Sequence, residues 1–196
     1  MGKLIVLASS SPRRQELLRK LGLPLRVVTR EVDEGIPEGG DPSGLVRMLA
    51  LRKARAVVLD DLVKSQPSVI IGADTVVVCD SRILGKPRDE DEACRMLKLL
   101  QGRAHEVLTG VALHCAPSGE EIVFHEKTTV RFRAAGRQEI EGYVKTGEPL
   151  DKAGAYGIQG LGSIFIEAIE GCFFNVVGLP ISRLVENLKV FNIRVF

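Results

Sequence analysis

The stretch LASSSPRRQELL, residues 7–18, sets three hydroxyls and a proline directly against two arginines. Read alone, it fits an anion cradle. The backbone N–H groups of Ser9 to Ser11 at a helix start, their hydroxyls, and the guanidinium groups of Arg13 and Arg14 are all donors suited to phosphate oxygens. It is not a P-loop, because G-x-x-x-x-G-K-[ST] occurs nowhere in the chain. A capped helix carrying two solvated arginines accounts for the same residues equally well.

A second candidate is Asp74, an acid inside the apolar run SVIIGADTVVVCD. A carboxylate there is costly to bury unless it meets a cation, a metal or a proton to abstract. Thr75 adds a hydroxyl beside it. The alternative is that Asp74 caps a turn or pairs with a structural arginine. Lys53 and Lys86 are individually unremarkable, since a lone lysine is usually a solvated charge. The third candidate is EPLDKAGAYGIQG. Its glycines at 154, 157 and 160 let the backbone approach a ligand, while Asp151, Lys152, Tyr156 and Gln159 offer polar and aromatic contacts. The Gln159 amide donates and accepts at once, which suits a base edge; a Gly-rich surface turn is the plain alternative. No G-x-G-x-x-G follows a strand here, so a dinucleotide fold is not indicated.

These groups need a scaffold, and the apolar spacing supplies one. Leu4 to Leu7 reads as a short buried strand, with Ser11 placed to cap a helix opening at Pro12 and closing at Gly22. LRVVT is a second strand. REVDEGIPEGGDPSG reads as an exposed loop ending in an N-cap at Asp41 or Ser43, and helical spacing runs from Leu45 to about Leu62. SVIIGADTVVVCD is a central strand interrupted by GAD. DSRILGKP gives a turn and return strand, RDEDEACRMLKLLQG an amphipathic helix, and HEVLTGVALHC with EEIVFHEKTTVRFR a long hairpin. A helix near Gln138 to Lys145, a strand near Ser163 to Ala168, a turn at EGC and a helix near Pro180 to Leu188 complete a mixed α/β pattern.

Bulk properties narrow the function. The chain has 196 residues and a formal charge of +2 from nearly balanced acids and bases. That predicts one domain, 1–196, with no sequence-wide pull toward nucleic acid or an anionic membrane. No apolar run approaches the ~20 residues of a membrane span, and Met1 to Leu7 is too short for a secretory signal, so a cytoplasmic location is expected. Cys79, Cys94, Cys115 and Cys172 never form a C-x-x-C pair and read as reduced, mostly buried thiols. His105, His114 and His125 lack metal-ligand spacing and read as structural.

Together, LASSSPRRQELL, GADTVV, GKPRDEDEACRML, HEVLTGVAL, EPLDKAGAYGIQG and NVVGLP resemble the blocks of the Maf family of nucleoside triphosphate pyrophosphatases, once described as septum-formation inhibitors. The likeness follows the family's order and spacing over nearly the whole chain. It implies a curved mixed β-sheet flanked by helices, in two lobes with a cleft, of the inosine-triphosphatase-like (Maf-like) fold, often as a homodimer. It also implies hydrolysis between the α- and β-phosphates, giving a nucleoside monophosphate and pyrophosphate with a divalent metal, Mg²⁺ or Mn²⁺. DKAGAYGIQG is similar to the branch acting on dTTP, UTP and modified pyrimidine nucleotides. The sister branch, which prefers 7-methyl-GTP, differs at that block.

The family is viewed as house-cleaning, and some members are linked to cell-division arrest, which implies a division-machinery partner. By residue, the resemblance implies Asp74 as general base and Arg13, Thr75 and Gln159 as the specificity set. Ser9, Arg14, Lys53 and Lys86 lie around the triphosphate, and Glu34 joins Asp74 at the metal. Phe173 and Phe174 stand where a tyrosine is common. Two other readings stay open at this point: a nucleotide sensor with little turnover, and a phosphatase that strips the terminal phosphate.

Overall fold

The computed structural model describes residues 3–35 and 40–196. Met1 and Gly2, and residues 36–39 of the expected acidic loop, lie outside the described residues. The architecture is mixed α/β. Strands pair in the order β2-β1-β3-β5-β6-β7, with β4 also on β3; they are β1 (Leu4–Leu7), β2 (Leu25–Val27), β3 (Ser68–Cys79), β4 (Arg82–Leu84), β5 (Ala104–Ala116), β6 (Glu121–Phe132) and β7 (Ile166–Glu170). The chain forms two compact units. The first comprises residues up to Asp74, Thr109–Glu126 and Gly178–Phe196; the second comprises Thr75–Leu108 and Lys127–Val177.

In the first unit β1 is buried along its whole length and lies parallel to both β2 and β3, with Ile5 opposite Leu25 and Val69. An unbroken apolar run suits a strand covered on both faces. Helix α1 (Pro12–Lys20) follows the hydroxyl-rich turn. Ser11 is its N-cap residue but makes no side-chain cap; its N–H instead donates to Ser9 Oγ at 3.3 Å. Helix α2 (Pro42–Ala56) is capped as expected by Asp41, whose carboxylate accepts from the N–H groups of Ser43 and Gly44.

The helical run expected to reach Leu62 breaks after Ala56. The β-branched pair Val57 and Val58 follows, and the Asp60 carboxylate accepts the Leu62 N–H at 3.1 Å to start a separate helix, α3 (Asp61–Lys64). Nor does GAD interrupt β3, which runs unbroken from Ser68 to Cys79. The glycine there answers a packing demand: a Cβ on Gly72 would collide with the Ala50 carbonyl oxygen and lie 2.8 Å from the Ala54 nitrogen. Gly110 on β5 meets the Val46 carbonyl in the same way. These two glycines let α2 lie close on the strands, over a core that includes Val6, Ala50, Ala54, Ile70 and Ala112. Helix α7 (Ile181–Leu188) completes this unit.

The second unit pairs the end of β3 antiparallel with β4, Val77 opposite Leu84, and β6 antiparallel with β7. Helix α4 (Glu90–Leu100) opens on an Asp89 cap that accepts from Glu92 N–H at 2.7 Å, and buries Ala93, Met96, Leu97 and Leu100. Helix α5 (Arg137–Val144) packs on the same core, where Phe132, Tyr143, Tyr156 and Phe165 meet in edge and tilted ring contacts. The strand expected at Ser163 to Ala168 starts later. Leu161–Phe165 is a 3-10 turn, and β7 begins at Ile166. A short helix, α6 (Phe173–Val177), was not foreseen, because one turn leaves no readable periodicity.

All four cysteines are free, two of them buried. The histidines bond within the protein, His105 with Tyr156, His114 with Glu121 and His125 with Arg47. No helix among the described residues is long and apolar enough to cross a membrane.

Candidate active site

The first unit gathers Ser9, Arg14, Glu34, Lys53 and Asp74. Asp74 ends the buried part of β3 in this unit and is itself buried. Lys53 reaches it from α2: its Nζ donates to Asp74 Oδ1 at 2.6 Å and lies 2.6 Å from Glu34 Oε1. The Lys53 and Asp74 side chains each expose only 13% of their surface, whereas Glu34 exposes 51%. The close seating of α2 at Gly72, where Ala50 and Ala54 make the contact, puts Lys53 beside it, within reach of the carboxylate. One ammonium thus draws together two carboxylates from distant parts of the chain.

Arg14 is buried at the start of α1. Its Nε donates to the Gly178 carbonyl at 2.8 Å, and its Nη1 donates to the Ala73 carbonyl at 2.9 Å and to Ser9 Oγ at 3.1 Å. Burial lowers its pKa, with the Asp74 charge acting in the opposite sense. The guanidinium therefore ties the hydroxyl-rich turn to the residue before Asp74. Arg13, next to it, is half-buried.

Thr75, Lys86 and Gln159 belong to the second unit. Thr75 is half-buried, while Lys86 and Gln159 are exposed, and neither of the two makes a side-chain hydrogen bond or ion pair among the described residues. Their segments meet at Gly154. Its N–H donates to the Gly85 carbonyl, next to Lys86, at 3.0 Å, and a Cβ on it would lie 2.8 Å from Val77 on β3. Gly154 also takes φ +68°, which glycine adopts without strain.

Two groups in this unit carry more than their sequence context suggests. Glu148 Oε1 accepts from the Tyr143 hydroxyl at 2.9 Å and from Gly162 N–H at 3.1 Å, and Oε2 accepts from Leu161 N–H at 2.8 Å. Burial works to raise its pKa, but the two amide bonds and the phenol prevail and hold it below the ordinary carboxylate value. His105 is buried against Phe132 and Tyr156; its Nε2 is 2.8 Å from the Tyr156 hydroxyl, and Nδ1 has no partner among the described residues. Burial pulls this imidazole down to about 4, so it is neutral at neutral pH. Nothing local marks Glu148, because its amide partners lie 13 and 14 residues away along the chain.

The site also bears on a divalent cation. Two carboxylate oxygens already converge on one cationic atom, and hard oxygen donors of this kind suit Mg²⁺ or Mn²⁺. No group of three or more His, Cys, Asp or Glu residues that could hold a metal occurs among the described residues.

A family model described as Maf-like protein matches residues 4–191. The protein named dTTP/UTP pyrophosphatase of Symbiobacterium thermophilum is 53% identical over 192 residues, 98% of this chain and 96% of that one. Its namesake from Pelotomaculum thermopropionicum is 52% identical over 195 residues, 98% and 99% of the two chains. A third of that name, from Desulforamulus reducens, is 50% identical over 191 residues, 97% and 98%. Among solved structures, the Staphylococcus aureus Ham1 protein aligns with TM-score 0.45 and 16% identity, over 66% of this chain and 72% of that one. A match over nearly the full length, with the donor-rich turn, the Asp74 strand and the glycine-rich segment all inside it, leaves one assignment: this chain belongs to the Maf family.

Proposed function

We propose that the protein hydrolyses nucleoside triphosphates between the α- and β-phosphates, with dTTP and UTP as the main substrates and modified pyrimidine nucleotides as related ones. The observation that carries the reading is the Lys53 ammonium held at 2.6 Å by both Glu34 and Asp74, beside the turn of Ser9 to Arg14. Relatives at 50–53% identity named dTTP/UTP pyrophosphatase support the choice of bases. In the reaction a water oxygen bonds to the α-phosphorus, the bridging bond to the β-phosphate breaks, and pyrophosphate leaves from the nucleoside monophosphate.

A triphosphate carries about four negative charges that repel the attacking oxygen, so charge must be neutralised and the water aligned. Arg13, Lys53 and Lys86 supply positive charge and donors. Arg14 adds its charge from a buried position while orienting Ser9. Asp74 accepts the proton of the attacking water. A divalent cation, Mg²⁺ or Mn²⁺, bound by Glu34 and Asp74 would supply Lewis-acid neutralisation of the phosphates. Arg13, Thr75 and Gln159 discriminate the base, Gln159 by pairing its amide with the base edge. Gln159 is exposed in this structure; once a bound base covers its amide, a mismatched base edge leaves the donor and acceptor unsatisfied and is disfavoured.

The reading extends to a homodimer and, through a division-machinery partner, to cell-division arrest, both of which rest on the family resemblance, and to the cytoplasmic location expected from the sequence. The deciding experiment is to incubate the purified protein with dTTP, UTP, CTP, GTP and 7-methyl-GTP plus Mg²⁺ or Mn²⁺, assaying pyrophosphate and orthophosphate separately. Pyrophosphate chiefly from dTTP and UTP is expected. Orthophosphate alone would make the protein a phosphatase, and activity confined to 7-methyl-GTP would move it to the sister branch.

A further inference from the structure

Gln159 sits in an unusual setting for a residue that reads a base. Its own amide is exposed and makes no hydrogen bond among the described residues, so its direction depends on its backbone. The backbone is held from both sides by the turn at 148–152. Before Gln159, Gly157 lies under the Lys152 stem, where a Cβ would be 2.8 Å from Lys152 Cε; the Lys152 Nζ is in turn anchored by donating to the Glu148 carbonyl at 2.6 Å. After it, Gly160 lies under the Glu148 carboxylate, where a Cβ would be 2.5 Å from both oxygens. That carboxylate also accepts from Leu161 N–H, Gly162 N–H and the Tyr143 hydroxyl, closing residues 148–162 into a ring stapled to α5.

We infer that Glu148 is a positioning residue for base recognition: its carboxylate closes the 148–162 segment and thereby aims Gln159. The inference rests on the reading of Gln159 as the base-contacting amide. The physical argument is preorganisation. A polar group that must meet a base edge loses most of its selectivity when its backbone can wander by an ångström, and surrounding hydrogen bonds are what prevent this. A neutral side chain could fill the same space. A carboxylate accepts from all three donors at once, whereas a glutamine in either orientation turns an N–H of its own toward an amide that is itself a donor, Leu161 or Gly162.

The test compares Glu148→Ala, Glu148→Gln, Tyr143→Phe and Gln159→Ala, measuring kcat and KM for pyrophosphate release from dTTP, UTP and GTP, with hydrogen exchange at the Leu161 and Gly162 amides. Glu148→Ala is expected to speed that exchange and to lower the ratio of kcat/KM for dTTP over GTP by about tenfold, the scale of one lost specificity contact. Glu148→Gln, which keeps an acceptor, should restore part of the ratio. Faster exchange with an unchanged ratio overturns the inference, as does an equal loss on all three nucleotides. Should Glu148→Ala fail to fold, Tyr143→Phe removes one of the three donors and leaves the ring, and the same two readouts decide. Gln159→Ala separates the premises: an unchanged ratio there removes Gln159 from base reading, whatever the Glu148 variants do.

Discussion

The cluster around Asp74 and the ring around Glu148 are both built on a carboxylate, and they are built in opposite ways. Asp74 stands on a regular strand and meets a side chain, Lys53, delivered by a regular helix. Glu148 stands in a 3-10 turn and meets backbone amides brought within reach by glycines. The first arrangement leaves a charged pair whose members can exchange partners, which suits the proton, phosphate and cation contacts proposed for them. The second satisfies its carboxylate with two backbone amides, fixed by the chain itself, and one phenol from α5, which suits a frame. A carboxylate's surroundings, more than its identity, decide whether it can react.

The sharpest way to break this contrast is to remove the reacting charge. Asp74→Asn should lower turnover by about two to four orders of magnitude while nucleotide binding persists, the range for a positioned acid–base group. Pyrophosphate release read beside calorimetric nucleotide binding checks it, and near-normal turnover takes the base role away from Asp74.

Packing offers the next test. Gly72→Ala drives a methyl into the α2 backbone, and Gly160→Ala drives one into the Glu148 carboxylate, a side chain that can turn aside. Overpacking costs about 1–3 kcal/mol, and the backbone collision belongs at or above the top of that range. Denaturant unfolding should therefore show Gly72→Ala as the more damaging change. Gly160→Ala should chiefly flatten base preference.

Smaller still, Gln159→Ala should reduce the preference for dTTP over GTP by about tenfold, with little change in the affinity for pyrophosphate. If all triphosphates lose rate equally, the residue is structural.

The last prediction sets pH against the two units. The folded-state pKa of His105 is depressed from 6.5 to about 4, so the unfolded chain binds the proton first. Its contribution to stability is present above about pH 6.5 and is lost as pH falls toward 4. Glu121 in the first unit is held at about 2, chiefly by its hydrogen bonds with Arg55, and its contribution is lost only as pH falls from about 4.5 toward 2. Melting temperature against pH should therefore flatten between 6.5 and 4 in His105→Gln, and below 4.5 in Glu121→Gln. A His105→Gln profile parallel to that of the wild type would contradict the assignment.

The elements were largely legible in the sequence. An unbroken apolar run marked β1, helical apolar spacing α4 and alternation the β5–β6 hairpin, and the N-cap of α2 was narrowed to Asp41 or Ser43 because capping acts within three residues. The family resemblance named Asp74, Arg13, Thr75 and Gln159 from their blocks. Ser11 misled, since a residue type favoured at a cap need not bond there. GAD misled as well, because a glycine demanded by a neighbouring helix looks in sequence like a break in a strand.

What the amino-acid order alone determined, then, is what short-range rules control: the succession of strands and helices, the caps, and a composition without a basic or membrane-seeking bias. The tertiary structure decided the rest. Lys53 meets Asp74 across 21 residues, and Arg14 meets Gly178 across 164. Glu148 finds its amides only after the chain has turned back on itself. Ion pairs and amide bonds act over about 3 Å, so spacing along the chain carries no trace of them until packing brings the groups together.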